Sequence, residues 1–154
     1  MKILVMNGPN LNFLGIREPA QYGTENYAAL CAKIEAAAAA KGDTVEIFQN
    51  NCEGAMIDRL QAAYSDGTEG IIINPGAYTH SSYAIRDALA SITVPKIEVH
   101  ISNIHKREEF RHKSLIAPVC SGHIAGFGPI GYHLAMIGML QIFEQIKRMD
   151  TASN

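Results

Sequence analysis

Charge is scarce in this chain. Only 18% of its 154 residues are charged, against roughly 25% in an average soluble domain, while 47% are hydrophobic. That imbalance predicts buried contacts between subunits. A net charge of -2 and a pI near 6.3 leave no global basic field for nucleic acid or an anionic membrane. Neither partner is expected, and any anion site has to be local. Cysteine is scarce too. Cys31, Cys52 and Cys120 are odd in number, far apart and without a Cys-x-x-Cys pair. This excludes a disulfide framework and a cysteine zinc site, and predicts buried, reduced thiols. The N-terminal apolar run Ile3 to Met6 is too short for a signal sequence, and no segment approaches a membrane span, so a cytoplasmic protein is expected.

Several catalytic and cofactor signatures are missing as well. There is no Gly-x-Gly-x-x-Gly and no Lys-Ser/Thr loop ending. Gly8-Pro9-Asn10 puts a proline where a phosphate cradle needs amide donors, and Phe48-Gln49-Asn50 lacks the acid that binds a ribose. A nucleotide or flavin module is thereby the weaker reading. No Gly-x-Ser-x-Gly elbow or cysteine–histidine motif points to acyl transfer, and the histidines show no metal-ligand spacing. Acid–base chemistry without a cofactor or metal remains.

What is present is a regular alternation of strands and helices in one domain, with no linker, repeat or low-complexity tract. Short apolar runs predict strands at Ile3–Met6, Thr44–Gln49, Gly70–Asn74, Val94–His100 and Val119–Ala125. Helices are expected from about Glu25 to Lys41 with Thr24 as cap, from Glu53 to Tyr64, from Ser82 to Ser91, and after Pro129. The alanines at 36 to 40 read as helix surface, and the last helix's Met136, Met139, Leu140, Phe143 and Ile146 as core. Five strands alternating with helices predict an α/β, doubly wound parallel sheet in the order 2-1-3-4-5. That order sets strands one, three and four side by side, so the segments after them converge on one crevice.

Those segments are unusual. Asn74-Pro75-Gly76 stops a buried isoleucine strand abruptly, and Thr79, His80, Ser81 and Ser82 follow at a carboxyl end, where open α/β sheets bind ligands. The plainer reading is a capped loop, with Thr79 or Ser81 as N-cap and His80 on the surface. The loop from Asn7 to Tyr22 is longer than an ordinary connection and too apolar at Leu11, Phe13, Leu14 and Ile16 to stay solvated, so it is expected to fold over something as a lid. Within it, Arg17 could favour the phenolate of Tyr22, or Tyr22 could pack under Pro19. Arg107 and Arg111, four apart on a predicted short helix, could clamp a carboxylate or pair with Glu108 and Glu109.

Taken together, the motifs resemble a known family. Asn7-Gly8-Pro9-Asn10-Leu11-Asn12, Leu14-Gly15-x-Arg17-Glu18-Pro19-x-x-Tyr22-Gly23, Asn74-Pro75-Gly76-Ala77-Tyr78-Thr79-His80, Glu98-Val99-His100-x-Ser102-Asn103-Ile104-His105 and Ser121-Gly122-x-Ile124-Ala125-Gly126 are similar in order and spacing to type II 3-dehydroquinate dehydratase. The resemblance spans nearly the whole chain. It implies a flavodoxin-like three-layer sandwich and dehydration of 3-dehydroquinate to 3-dehydroshikimate by anti elimination through an enolate, in the shikimate pathway or quinate catabolism. By the same resemblance Tyr22 is the base, Arg17 holds it ionised, His100 is the acid, Glu98 orients His100, and Asn10 orients a water at the enolate oxygen. Asn74, Gly76, Ala77, His80, Ile101, Ser102 and Arg111 fall at substrate-binding positions. Asp87 falls where a neighbouring subunit's site is reached, in trimers assembled into a homo-oligomeric dodecamer. No cofactor, metal or Schiff-base lysine is implied. The alternative is a flavodoxin-like small-molecule or nucleotide-binding module without turnover.

Overall fold

Three consecutive isoleucines with no alternation need cover on both faces, and the strand that carries them lies at the middle of the sheet. The computed structural model describes residues 1–16, 18, 20 and 24–152. Its strands are β1 (Lys2–Asn7), β2 (Thr44–Gln49), β3 (Gly70–Asn74), β4 (Lys96–His100) and β5 (Gly122–Ala125). They form one parallel sheet in the order β2-β1-β3-β4-β5, as expected. The helices are α1 (Tyr27–Ala39), α2 (Glu53–Ala63), the single turn α3 (Tyr78–Ser81), α4 (Tyr83–Ala90) and α5 (Ile130–Ala152).

The layers follow from side-chain alternation. Ile3, Val5, Ile72, Ile97 and Val99 face α1 and α5, meeting Leu30, Ile34, Tyr132, Ala135, Met136 and Met139. Leu4, Met6, Ile71 and Ile73 face the opposite way, onto Met56 and Leu60 of α2 and Ile85 and Leu89 of α4. Full burial of each such side chain contributes about 1.5–3 kcal/mol before entropy is counted. Among the described residues, no helix is long and apolar enough to cross a membrane.

Several expectations are corrected in detail. Asn26, not Thr24, caps α1: its side chain accepts from the Ala29 amide at 2.8 Å, and the helix starts at Tyr27. Ala38 lies in the core, one turn beyond Ile34, so the alanine run is not all surface. Val94 and Val119 precede their strands; Val119 belongs to a 3₁₀ turn, Ala117–Val119, which Pro118 favours. The cysteines are not buried thiols. Cys52 is exposed and Cys31 and Cys120 are half-buried, because the inward positions of α1 belong to Leu30, Ile34 and Ala38, and Cys52 sits ahead of α2. The apolar stripe of α5 is core at Met136 and Met139 but exposed at Ile146. A helix of 23 residues, at about 1.5 Å per residue, outruns strands of about 17–20 Å.

Candidate active site

The carboxyl ends of β1, β3 and β4 meet at a solvent-open cleft of about 690 Å³. β1 and β3 end level, with Asn7 paired to Asn74 in register. Their buried side chains share the phenol of Tyr132 from α5, which donates to Asn7 Oδ1 at 2.6 Å and accepts from Asn74 Nδ2 at 3.0 Å. This network locks Asn74, whose Oδ1 also accepts from the Gly76 amide at 3.2 Å. The two turns touch closely. A Cβ on Gly8 would stand 2.3 Å from the Pro75 carbonyl oxygen, and Gly76 has φ +60°, so glycine is required at both.

The cleft collects most of the residues singled out in the sequence: Asn10, Asn74, Gly76, Ala77, His80, His100, Ile101, Ser102 and Arg111 all line it. Arg107, Leu11, Phe13 and Leu14 join them. Leu11 and Leu14 are buried, whereas Phe13 and Ile16, which the sequence reading expected to be covered, face solvent. Arg17 and Tyr22 lie outside the described residues. Asp87 is on α4 with its side chain 75% exposed beside Arg86, and it does not line the cleft of its own chain.

His100 stands over a buried carboxylate. Its Nε2 is 2.8 Å from Glu98 Oε1, and the Glu98 side chain is fully buried. Glu98 also accepts from Thr79 Oγ1 at 2.7 Å and from Ser114 Oγ at 2.8 Å. Burial alone raises the Glu98 carboxyl pKa, but the hydrogen bonds and charge of His100, with those of Thr79 and Ser114, outweigh it and hold the group below the usual range. The Ser114 hydroxyl is itself fixed by the Ile116 and Ala117 amides, at 3.0 and 2.9 Å. Thr79 is thus neither cap nor surface residue. The cap of α4 is Ser82, which accepts from Ile85.

On the opposite wall, His80 Nδ1 donates to the Lys113 carbonyl at 2.8 Å, and burial lowers its pKa, so the ring is neutral near pH 7. Arg107 and Arg111 do not share a helix. Arg107 follows one 3₁₀ turn, Ile104–Lys106, and Arg111 ends another, Glu109–Arg111. Glu108 between them pairs with Arg111 at 2.8 Å and Arg107 at 3.7 Å, and Glu18 lies 3.5 Å from Arg107. Both guanidiniums still face the cleft, giving it a cationic wall suited to a small carboxylate.

Two neighbours of Glu98 escaped the sequence reading. Ser114 has no signal of its own in the sequence. His123 could have been found once strand order was assumed, since on β5 it pairs in register with Glu98. Its Nε2 is 3.8 Å from Glu98 Oε2, and Glu98, His100 and His123 offer three ligand atoms within 4.8 Å of one another. The fold therefore assembles a possible ligand set that sequence spacing does not display.

The class II dehydroquinase family model matches residues 1–140. The chain belongs to the class II dehydroquinase family. Within it, the chain is 63% identical to the 3-dehydroquinate dehydratase of Lachnoclostridium phytofermentans over 142 residues, covering 92% of this chain and 98% of that protein. It is 54% identical to the 3-dehydroquinate dehydratase of Campylobacter hominis over 153 residues, 99% and 98% of the two chains. The crystal structure of the type II dehydroquinase from Butyrivibrio crossotus superposes with a TM-score of 0.90 at 60% identity, over 90% of this chain and 97% of that one. The family's flavodoxin-like fold is the sheet order described above.

Proposed function

We propose that this class II dehydroquinase converts 3-dehydroquinate to 3-dehydroshikimate by a cofactor-free anti elimination through an enolate. The observation that carries the reading is the His100–Glu98 pair at the cleft floor. A carboxylate only accepts, so the Nε2 facing Glu98 bears the proton and Nδ1 is left for the cleft. When Nδ1 is also protonated, Glu98 stabilises the imidazolium and His100 can hand a proton to a departing hydroxyl. Ser114 and Thr79 keep the carboxylate ionised and aimed while this happens.

The base is Tyr22. An ordinary phenol, with a pKa of about 10, is only about one part in a thousand ionised at pH 7, and Arg17 shifts that balance toward the phenolate. Tyr22 takes the C2 proton and the enolate forms. Asn10 orients a water at its oxygen, Arg111 and the Ile101–Ser102 backbone hold the carboxylate and hydroxyls, and Asn74 and His80 bind the ring. Asp87, which does not line its own cleft, reaches a neighbouring subunit's site in a trimer, with trimers assembling to a dodecamer. Light scattering checks the assembly; a stable monomer would remove Asp87 from the site.

Following the ultraviolet absorbance of the conjugated enone tests the reaction directly. Tyr22→Phe is expected to abolish turnover while leaving substrate binding largely intact. Arg17→Ala is expected to slow turnover at least about a hundredfold and to move its basic dependence to higher pH. Normal turnover in Tyr22→Phe would overturn the phenolate mechanism; binding without any turnover in the unaltered protein would leave a binding module.

A further inference from the structure

Strand geometry alone puts three metal-ligating side chains on one face. Glu98 and His100 are two apart on β4, and alternate residues of a strand leave the same side. His123 is in register with Glu98 on the neighbouring strand. His100 Nε2 stands 2.8 Å from Glu98 Oε1, and His123 Nε2 stands 3.8 Å from Oε2. The second separation is too long for a hydrogen bond. It is close to the spacing of two ligands on one ion, because ligands bound tetrahedrally at about 2.0–2.2 Å lie roughly 3.4 Å apart. All three ligand atoms fall within 4.8 Å of one another, so modest side-chain rotation closes the set.

The surroundings favour a cation. The Glu98 carboxylate is oriented by the Thr79 and Ser114 hydroxyls, as ligating carboxylates usually are. His123 brings its Nε2 toward that buried carboxylate from the neighbouring strand. His123 is nonetheless partly open to solvent, with 28% of its side chain exposed, which provides a route of entry.

We propose that Glu98, His100 and His123 form a transition-metal site, suited to Zn²⁺, whose occupation switches His100 off as an acid. Two imidazoles, one carboxylate and an open fourth position match zinc's ligand preference. When the metal takes the doubly protonated acid form of His100, the metal–Nε2 bond replaces the Nε2–H bond and that proton passes to solvent. The Nδ1–H that remains belongs to a neutral, metal-bound ring, a far weaker acid than an imidazolium. Metal binding itself is independent of the reaction assigned above; the inhibition rests on His100 being its acid.

Equilibrium dialysis of the chelator-treated protein against Zn²⁺, with Co²⁺ as a visible-spectrum probe, tests the site. The expected result is one ion per chain with the d–d bands of a tetrahedral site, and turnover lost with Zn²⁺ and restored by chelator. His123→Gln, with His123→Asn as a second variant, is expected to weaken binding at least about tenfold and abolish the inhibition, while turnover without metal stays unchanged. His105 and His112, with ring centroids 6.0 Å apart, are a second pair of neighbouring histidines and serve as the control. His112→Gln should therefore change nothing. Absence of stoichiometric binding, equal binding by the His123 variants, or loss of binding in His112→Gln overturns the proposal. Binding that requires His123 but leaves turnover untouched would keep the site and instead remove His100 as the acid.

Discussion

Glu98 and Glu108 are two carboxylates beside one cleft, held in opposite ways. Glu98 lies under the floor, fully buried, and accepts from His100, Thr79 and Ser114. Glu108 is on the rim, with 56% of its side chain exposed, and reaches Arg111 and Arg107. In the dry floor each interaction is strong and the geometry is set before any ligand arrives. On the wet rim the pairs are screened and exchangeable, so an incoming carboxylate can replace Glu108 beside Arg111. The floor should therefore govern the chemical step, and the rim should govern binding.

The largest effect that could break this contrast is at the floor. Glu98→Gln is expected to cut kcat by about a hundredfold or more and to cost about 2–3 kcal/mol of stability, since the amide leaves buried donors mismatched. Urea unfolding and steady-state kinetics check both. The pH dependence has a definite sign. Because the native Glu98 pKa is depressed, its stabilising contribution is complete above the unfolded value, about 4.3, and is lost as pH falls through the lower native one. The stability gap between the unaltered protein and Glu98→Gln should accordingly narrow in acid.

Ser114→Ala comes next. It strands the Ile116 and Ala117 amides and loosens Glu98, so about 1–2 kcal/mol and roughly a tenfold loss in kcat are expected. Retention of kcat with only a stability loss would make Ser114 a loop anchor and nothing more. Ser114→Thr, which keeps the hydroxyl, should restore most of the rate.

Arg111→Ala should act differently, raising KM about tenfold with a smaller change in kcat, as loss of uniform binding does. Added salt should raise the KM of the unaltered protein more than that of the variant. The smallest effect is expected from Glu108→Ala: an unchanged melting temperature, and a KM equal to or below that of the unaltered protein, because Arg111 loses an internal competitor. A kcat loss in Glu108→Ala as large as that in Glu98→Gln would erase the distinction between rim and floor.

Much of this arrangement was legible in the chain. Ile71-Ile72-Ile73 without alternation marks a central strand because only a strand covered on both faces is apolar throughout, and Asn74-Pro75-Gly76 marks its end because proline cannot continue the ladder. With the strand order, this already gathers Asn10, Asn74, His80 and His100. Other features were misread for physical reasons. Asn26 outcompetes Thr24 as cap because capping depends on which side chain meets the free amides in its own backbone geometry. Arg107 and Arg111 share a wall without sharing a helix, since the i, i+4 rule assumes α-geometry that two 3₁₀ turns do not have.

By itself the amino-acid sequence determined the strand and helix alternation, the sheet order and the end of the sheet where the cleft opens, because these rest on short-range periodicity and local turn chemistry. Only the tertiary structure decided how Glu98 is satisfied, that Ser114 and His123 stand beside it, and that Tyr132 ties Asn7 to Asn74. Those contacts join residues 16 to 125 positions apart, and a hydrogen bond is decided within a few tenths of an ångström. Such separations depend on the packing of whole layers, which no local pattern encodes.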